Sequence, residues 1–318
     1  MTDVVLRVED LSVYYYTLRG IVRAVEGAWL EARRGELVAV VGESGSGKST
    51  LGFSLLRLVP PPGRIVCGRV LVDGVDITRL EGEELRRARG ELVSIVFQDP
   101  FTTLDPVRKI GDQLLEVLLE HGVSKEEARS QVPQLLESVG LPREAVRAYP
   151  HQLSGGQRQR VSIAAAIALE PRVLVADEPT TALDVIVQKQ IMDLLDELRR
   201  RHGMAVVLVT HDIALAAERA TSIAIMYAGK IVEQGPAEKV LREPLHPYTR
   251  ALLESVPDID SPQWPRPIPG QPPDLRRPPP GCRFAPRCPL ATDKCRSEEP
   301  PTVFSGPGRR VSCWLHAS

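Results

Sequence analysis

The apolar run Leu37-Val38-Ala39-Val40-Val41 ends on Gly42-Glu43-Ser44-Gly45-Ser46-Gly47-Lys48-Ser49-Thr50. Residues 42–49 fit G-x-x-x-x-G-K-[ST], a loop whose backbone cradles phosphate between a buried strand and a helix. Glycines adopt the dihedrals that turn successive N–H groups inward, and the following helix points its positive end at the anion. Lys48 is expected to reach the β- and γ-phosphates, and Ser49 to offer its hydroxyl to Mg²⁺. A strand apolar over its whole length, feeding straight into a helix, belongs to a parallel sheet covered on both faces.

The rest of the chain agrees with that placement. Residues 4–16 and 21–32 alternate apolar and polar side chains, as half-buried strands do. A helical pattern is predicted from Lys48 to Leu58, and strands over Arg69–Gly74 and Leu92–Phe97. From about Ile110 to Tyr149 the period becomes 3.6, with Leu114, Leu115, Leu118 and Leu119, then Val132, Leu135, Leu136 and Val139. Strand–helix alternation then resumes through Arg172–Ala176, Val187–Arg200, Ala205–Val209 and Ile213–Arg219, with short strands at Ile223–Tyr227 and Lys230–Glu233. Such alternation puts a ligand at the carboxyl ends of the strands. Between Pro257 and Gly281 prolines are dense and periodicity vanishes, the pattern of an extended linker.

Length and charge narrow the function. At 318 residues, one large domain with a smaller appendage is expected. A formal net charge of -1 with no long block of one sign gives no support for a nucleic-acid-coating surface. No apolar run approaches the roughly 18–20 residues that cross a bilayer. Met1-Thr2-Asp3-Val4 lacks the features of an export signal, so a cytosolic chain is expected.

Two further constellations carry chemistry. Val173-Leu174-Val175-Ala176 leads into Asp177-Glu178. Asp177, ending a buried strand, is the expected partner for Mg²⁺, and Glu178 is placed to polarise an attacking water as general base. Leu153-Ser154-Gly155-Gly156-Gln157 precedes a helix, and a serine hydroxyl with glycine N–H groups at a helix N-terminus forms a second anion site. Two phosphate sites are too many for one nucleotide.

The phosphate loop, the Ser-Gly-Gly-Gln segment and the Asp-Glu pair, in that order, resemble the ATP-binding cassette (ABC) family. The resemblance implies an α/β fold: an ABC-type P-loop NTPase core with an antiparallel β subdomain and an inserted helical subdomain at about 107–170. It implies that each ATP is held between the phosphate loop of one copy and the signature loop, Leu153–Gln157, of another. Gln98 heads a segment resembling the Q-loop and would contact Mg²⁺ or the water. Thr180-Thr181-Ala182-Leu183-Asp184 resembles the D-loop, with Asp184 near nucleotide. His211 resembles the switch residue that reads the γ-phosphate, and Tyr15 the adenine-stacking aromatic. With Lys48, Gln98, Glu178 and His211 in place, a competent ATPase is expected.

Gln98-Asp99-Pro100-Phe101-Thr102-Thr103-Leu104-Asp105-Pro106 and Glu243-Pro244-Leu245-His246-Pro247-Tyr248-Thr249 are similar to segments of peptide-importer ATPases. That implies import of di- or oligopeptides from the cytoplasmic face of the cell membrane. The partners implied are two permease subunits, a second homologous ATPase and, indirectly, an extracytoplasmic binding protein, with no nucleic acid. Relatives import nickel or oligosaccharides; an exporter ATPase or a nucleic-acid maintenance ATPase are the rival readings. The domain reading is 1–256 for the ATPase, 257–281 for the linker and 282–318 for a small tail.

That tail holds Cys282, Cys288, Cys295 and Cys313 in the spacing C-x5-C-x6-C-x17-C. Clustered cysteines in a cytosolic chain read as metal ligands before disulfides. Four thiolates suit a [4Fe–4S] cluster or one zinc ion, and the absence of a tight C-x₂₋₄-C pair favours the cluster over Zn²⁺. Some peptide-importer ATPases resemble this tail and carry such a cluster. Cys67 stands apart as an ordinary small residue.

Overall fold

The computed structural model describes residues 3–99, 103–256 and 264–317. Pro100, Phe101 and Thr102 of the Q-loop segment, and Pro257 at the start of the linker, lie outside the described residues. The chain divides into two compact units.

The first unit comprises Met1–Val5, Arg33–Gly35 and Val72–Val206. Its strands Val93–Val96 and Val173–Asp177 run parallel, with Val93 opposite Val173 and Val96 opposite Ala176. Every residue of Val173–Asp177 is buried, as a strand covered on both faces requires. The 3.6-residue pattern becomes the helices Ile110–Glu120 and Lys125–Ser138. Leu114 and Leu118 of the first are buried with Ile110, and Val132 and Leu136 of the second with Ala128. Leu119 is exposed, which marks the edge of the apolar stripe. The helix Val185–His202 starts where the Asp184 carboxylate accepts the Val187 N–H at 2.9 Å, a cap contributing about 1 kcal/mol. It stops at Gly203, whose left-handed φ of 62° costs glycine nothing.

The second unit comprises Leu6–Ala32, Glu36–Leu71 and Val207–Ser318. Its central strand Leu37–Val41 is wholly buried and pairs in parallel with Ser222–Tyr227. A tight turn at Ala228-Gly229, both with positive φ, reverses the chain into the antiparallel strand Lys230–Pro236. Residues Arg310–Ser312 then pair with that strand, Val311 opposite Glu233, and Thr302–Phe304 pairs with them in turn. The tail thus adds two strands to the sheet that carries the phosphate loop. In a second sheet Gly20–Arg33, Val4–Thr17 and Gly63–Val72 are neighbours, and the first two match the expected strands. The strand expected over Arg69–Gly74 begins earlier and ends at Val72, where Asp73-Gly74 turns the chain with positive φ.

Phe284 of the tail closes the core of this unit. Its ring meets Tyr227 edge-on at 5.2 Å and Tyr248 at 5.4 Å, while Tyr227 and Tyr248 lie 4.4 Å apart. All three are essentially inaccessible, and each such pair adds about 0.5–1.5 kcal/mol beyond burial. The stretch Trp264–Gly281 has neither helix nor strand, as its prolines dictate. The helix after the phosphate loop is shorter than the pattern suggested, ending at Ser54 rather than Leu58. The chain doubles back there: Leu58 N–H bonds to Phe53 O at 2.8 Å and Arg57 takes a φ of 53°. Among the described residues no helix is long and apolar enough to cross a membrane.

Candidate nucleotide site and C-terminal cysteine cluster

The phosphate loop needs its glycines for space as well as for dihedrals. A Cβ on Gly42 would run into the carbonyl of Met226, and one on Gly47 into the carbonyl of Ala24. Gly45 and Gly47 have φ of 76° and 100°, which side chains rarely adopt. Lys48 is 5% exposed. Its ammonium donates to Gly42 O at 2.8 Å and Glu43 O at 3.0 Å, so the loop's own carbonyls hold it. Ser46 N–H also donates to Glu43 O, at 3.2 Å.

Tyr15 is half-buried, with its hydroxyl 3.4 Å from Thr50 Oγ1, beside the end of the loop. Its neighbours face elsewhere: Tyr14 donates to Glu26 Oε1 at 2.6 Å, and Tyr16 is exposed. Burial, the Glu26 hydrogen bond and the Glu26 charge push the Tyr14 phenol up to about 12. His211 follows the buried strand Ala205–Thr210 and is itself exposed. The next residue, Asp212, caps the helix Ile213–Arg219 through Ala214 and Leu215 N–H groups.

In the other unit Asp177 is 2% exposed at the carboxyl end of its strand. Glu178 has a φ of 44°, a left-handed backbone that a glutamate adopts only where its surroundings impose it. The Gln98 amide donates to Glu178 Oε2 at 2.9 Å and the Thr181 hydroxyl to the same oxygen at 3.1 Å. Gln98 and Glu178 are therefore brought together, and Thr181 joins them as a partner that motif reading did not assign.

The signature loop forms a reciprocal cap on the helix Gly155–Ile167. Ser154 Oγ accepts from Gln157 N–H at 3.3 Å, and Gln157 Oε1 accepts from Ser154 N–H at 2.9 Å. The first bond uses an oxygen lone pair, so the serine O–H keeps its capacity to donate. Gly155 would place a Cβ in ordinary contact with Leu183, but Gly156 would place one 2.6 Å from Val187 Cγ1. Leu183 and Val187 flank the Asp184 cap, which explains why glycine stands at 156. Arg158 and Arg160 behind the loop bind the carbonyls of Pro150 and Val139 at 2.7 and 2.6 Å.

Glu43, expected to touch nucleotide, turns its polar groups toward the C-terminal extension. Its N–H donates to Tyr248 Oη at 3.0 Å, and its carboxylate takes a two-pronged bond from Arg287 at 2.7 and 3.0 Å. The Glu43 pair holds Arg287 more firmly protonated, against the opposing effect of burial. Neither contact is visible in a motif.

In the tail, the Cys282 N–H donates to the Cys295 carbonyl at 2.8 Å. Burial raises the Cys282 thiol to about 11 and also raises Cys288 and Cys313. Backbone N–H groups oppose this: Phe284 and Ala285 at Cys282, Leu290 at Cys288 and Leu315 at Cys313. All four thiols are unlinked. Among the described residues no group of three or more His, Cys, Asp or Glu side chains is arranged to hold a metal ion. Cys67 is exposed on the strand Gly63–Val72.

Residues 25–181 match the family described as ABC transporter, and residues 232–295 match the oligopeptide/dipeptide transporter C-terminal region. The chain is 45% identical to the dipeptide transport ATP-binding protein DppD of Bacillus subtilis (strain 168), covering 98% of this chain and 94% of that one. Identity and both coverages are the same for the oligopeptide transport ATP-binding protein OppD of Salmonella typhimurium. Among solved structures, the dimeric cassette MJ0796 bound to ADP and Pi superposes with a TM-score of 0.64 at 31% identity, covering 73% of this chain and 98% of that one. CbiO1 from Clostridium perfringens, part of an ABC transporter complex, gives 0.66 at 30% identity, covering 76% and 92%. Cassette motifs, sheet and C-terminal extension all agree: the chain belongs to the dipeptide/oligopeptide transport ATP-binding proteins of the ABC transporter family.

Proposed function

We propose that this chain hydrolyses ATP to power import of dipeptides or oligopeptides, as a cassette that pairs with a second, homologous ATPase and drives two permease subunits. The observation that carries the chemistry is Glu178, held by Gln98 and Thr181 immediately after the buried carboxylate of Asp177. The relatives' extension over residues 232–295 carries the transport reading.

In this reading the N–H groups of residues 42–50 and the Lys48 ammonium bind the phosphates, and Tyr15 stacks on the adenine. Ser49, Gln98 and Asp177 would hold Mg²⁺, which offsets charge on the phosphate oxygens when bound. The glycine cradle and the buried Asp177 carboxylate suit that anion and that cation. Glu178 takes a proton from the attacking water, and His211 reads the γ-phosphate. Ser154, Gly155 and Gly156 cap the phosphate bound by the opposing cassette, with Asp184 alongside. Turnover of purified chain is compared with that of Glu178→Gln; unchanged hydrolysis would reject the general-base role.

We further propose a [4Fe–4S] cluster on Cys282, Cys288, Cys295 and Cys313. Support comes from the C-x5-C-x6-C-x17-C spacing of four unlinked cysteines and from the Cys282 N–H bond to Cys295 O at 2.8 Å, which ties two of their segments together. The cluster would staple a tail with little core of its own. Anaerobically purified protein should be brown and contain iron and sulfide; colourless protein with stoichiometric zinc would replace the cluster by zinc.

A further inference from the structure

Glu43, the second residue of the phosphate loop, is gripped by two residues of the C-terminal extension and in turn grips Lys48. Arg287 is 4% exposed at its side chain and forks onto both Glu43 carboxylate oxygens, 2.7 and 3.0 Å away. Its other N–H groups are committed to Pro269 O at 2.8 Å, Ile268 O at 3.3 Å and Tyr227 Oη at 3.2 Å. A guanidinium fixed on so many sides has one orientation, and a two-pronged bond passes that orientation to the carboxylate. Tyr248 Oη fixes the Glu43 main-chain N–H. The Glu43 carbonyl, one peptide plane further on, receives both Lys48 Nζ and Ser46 N–H.

We infer that Arg287 and Tyr248 are positioning residues for the nucleotide site, acting through Glu43 on Lys48 and the turn at Ser46. The extension thereby sets how well the phosphate loop is organised before nucleotide arrives. A glycine-rich loop has little stiffness of its own, and ordering it from outside removes a cost that binding would otherwise bear. The inference rests on the reading that Gly42–Thr50 binds ATP.

The test uses the full chain and measures MgATP affinity by titration calorimetry, with a thermal melt for each variant. Arg287→Gln and Glu43→Gln should each weaken MgATP binding about tenfold, the scale of a lost charge-assisted hydrogen bond. The double variant should be no weaker than either single one, because both remove the same bond. Tyr248→Phe keeps the ring that packs on Tyr227 and Phe284 and removes only the acceptor, so it probes the relay where the arginine variant fails to fold. It should also lower affinity. A fall in melting temperature with unchanged affinity in the folded variants would overturn the inference and leave Arg287 a strut of the linker. Lys48→Ala separates the two readings: if it binds MgATP normally, the nucleotide-site assignment itself fails.

Discussion

The Gln98 amide and the Glu178 carboxylate share a hydrogen bond of 2.9 Å, within one compact unit and 80 residues apart in sequence. Thr181 adds a second donor to the same oxygen, and the Glu178 backbone is held at a φ of 44°. A carboxylate bound in this way has a fixed direction, the first requirement of a general base. Any movement of Gln98 away from Glu178 would take one of the two donors from that oxygen.

Glu178→Gln is expected to lower ATP turnover by about 10²–10⁴-fold, the usual contribution of a general base, while MgATP binding persists. Gln98→Ala removes one tether and should cost less. Steady-state hydrolysis with separately measured nucleotide affinity checks both.

Gly156→Ala should destabilise the chain by about 1–3 kcal/mol, because the added methyl meets Val187 Cγ1 at 2.6 Å. Val187→Ala in the same chain should recover much of that loss by vacating the contested space. Denaturant melts of the single and double variants decide whether the contact is the cause.

Arg309 of the tail, 5% exposed at its side chain, meets the fully buried Glu233 at 2.8 Å. Glu233 also accepts the Leu245 and His246 N–H groups. Arg309→Met would leave a buried carboxylate without its counter-charge and should cost about 3–5 kcal/mol. Adding Glu233→Gln should return part of it, as measured by chemical unfolding.

His246 is buried, and burial first, with His316 second, lowers its pKa from 6.5 to about 3. The unfolded chain takes up a proton below about 6.5 that the folded chain refuses until about 3. This group therefore stabilises the fold above that window, and its contribution falls as pH drops, by about 1.4 kcal/mol per pH unit. His246→Asn retains an acceptor for the Tyr248 N–H and should flatten the acid slope of stability between pH 6.5 and 5, read from melts at each pH.

Much of the fold was legible because its signals are local. Continuous apolar runs marked Leu37–Val41 and Val173–Asp177, and the 3.6 period marked the helices that bury Leu114 and Leu136. Lys48, Gln98 and Glu178 announced themselves by motif. The partners of those residues did not, because partnership is decided by chain segments far apart. Arg287 lies 244 residues from Glu43, and Val187 presses on Gly156 from another element. A glutamate at positive φ defies local preference and has no sequence signal. The strands Thr302–Phe304 and Arg310–Ser312 are three residues each, too short for alternation to register.

Those two short strands have a consequence for how the protein is handled and how it evolves. Arg310–Ser312 pairs with Glu233 and Gln234 on the open edge of Lys230–Pro236, and Thr302–Phe304 pairs with Arg310–Ser312 in turn. Clipping the chain before them would bare that border, inviting copies to zip together edge to edge and clump. A version pared down to the catalytic motifs should therefore be less soluble than the whole protein, and lineages that keep the motifs have a physical reason to keep the appendage.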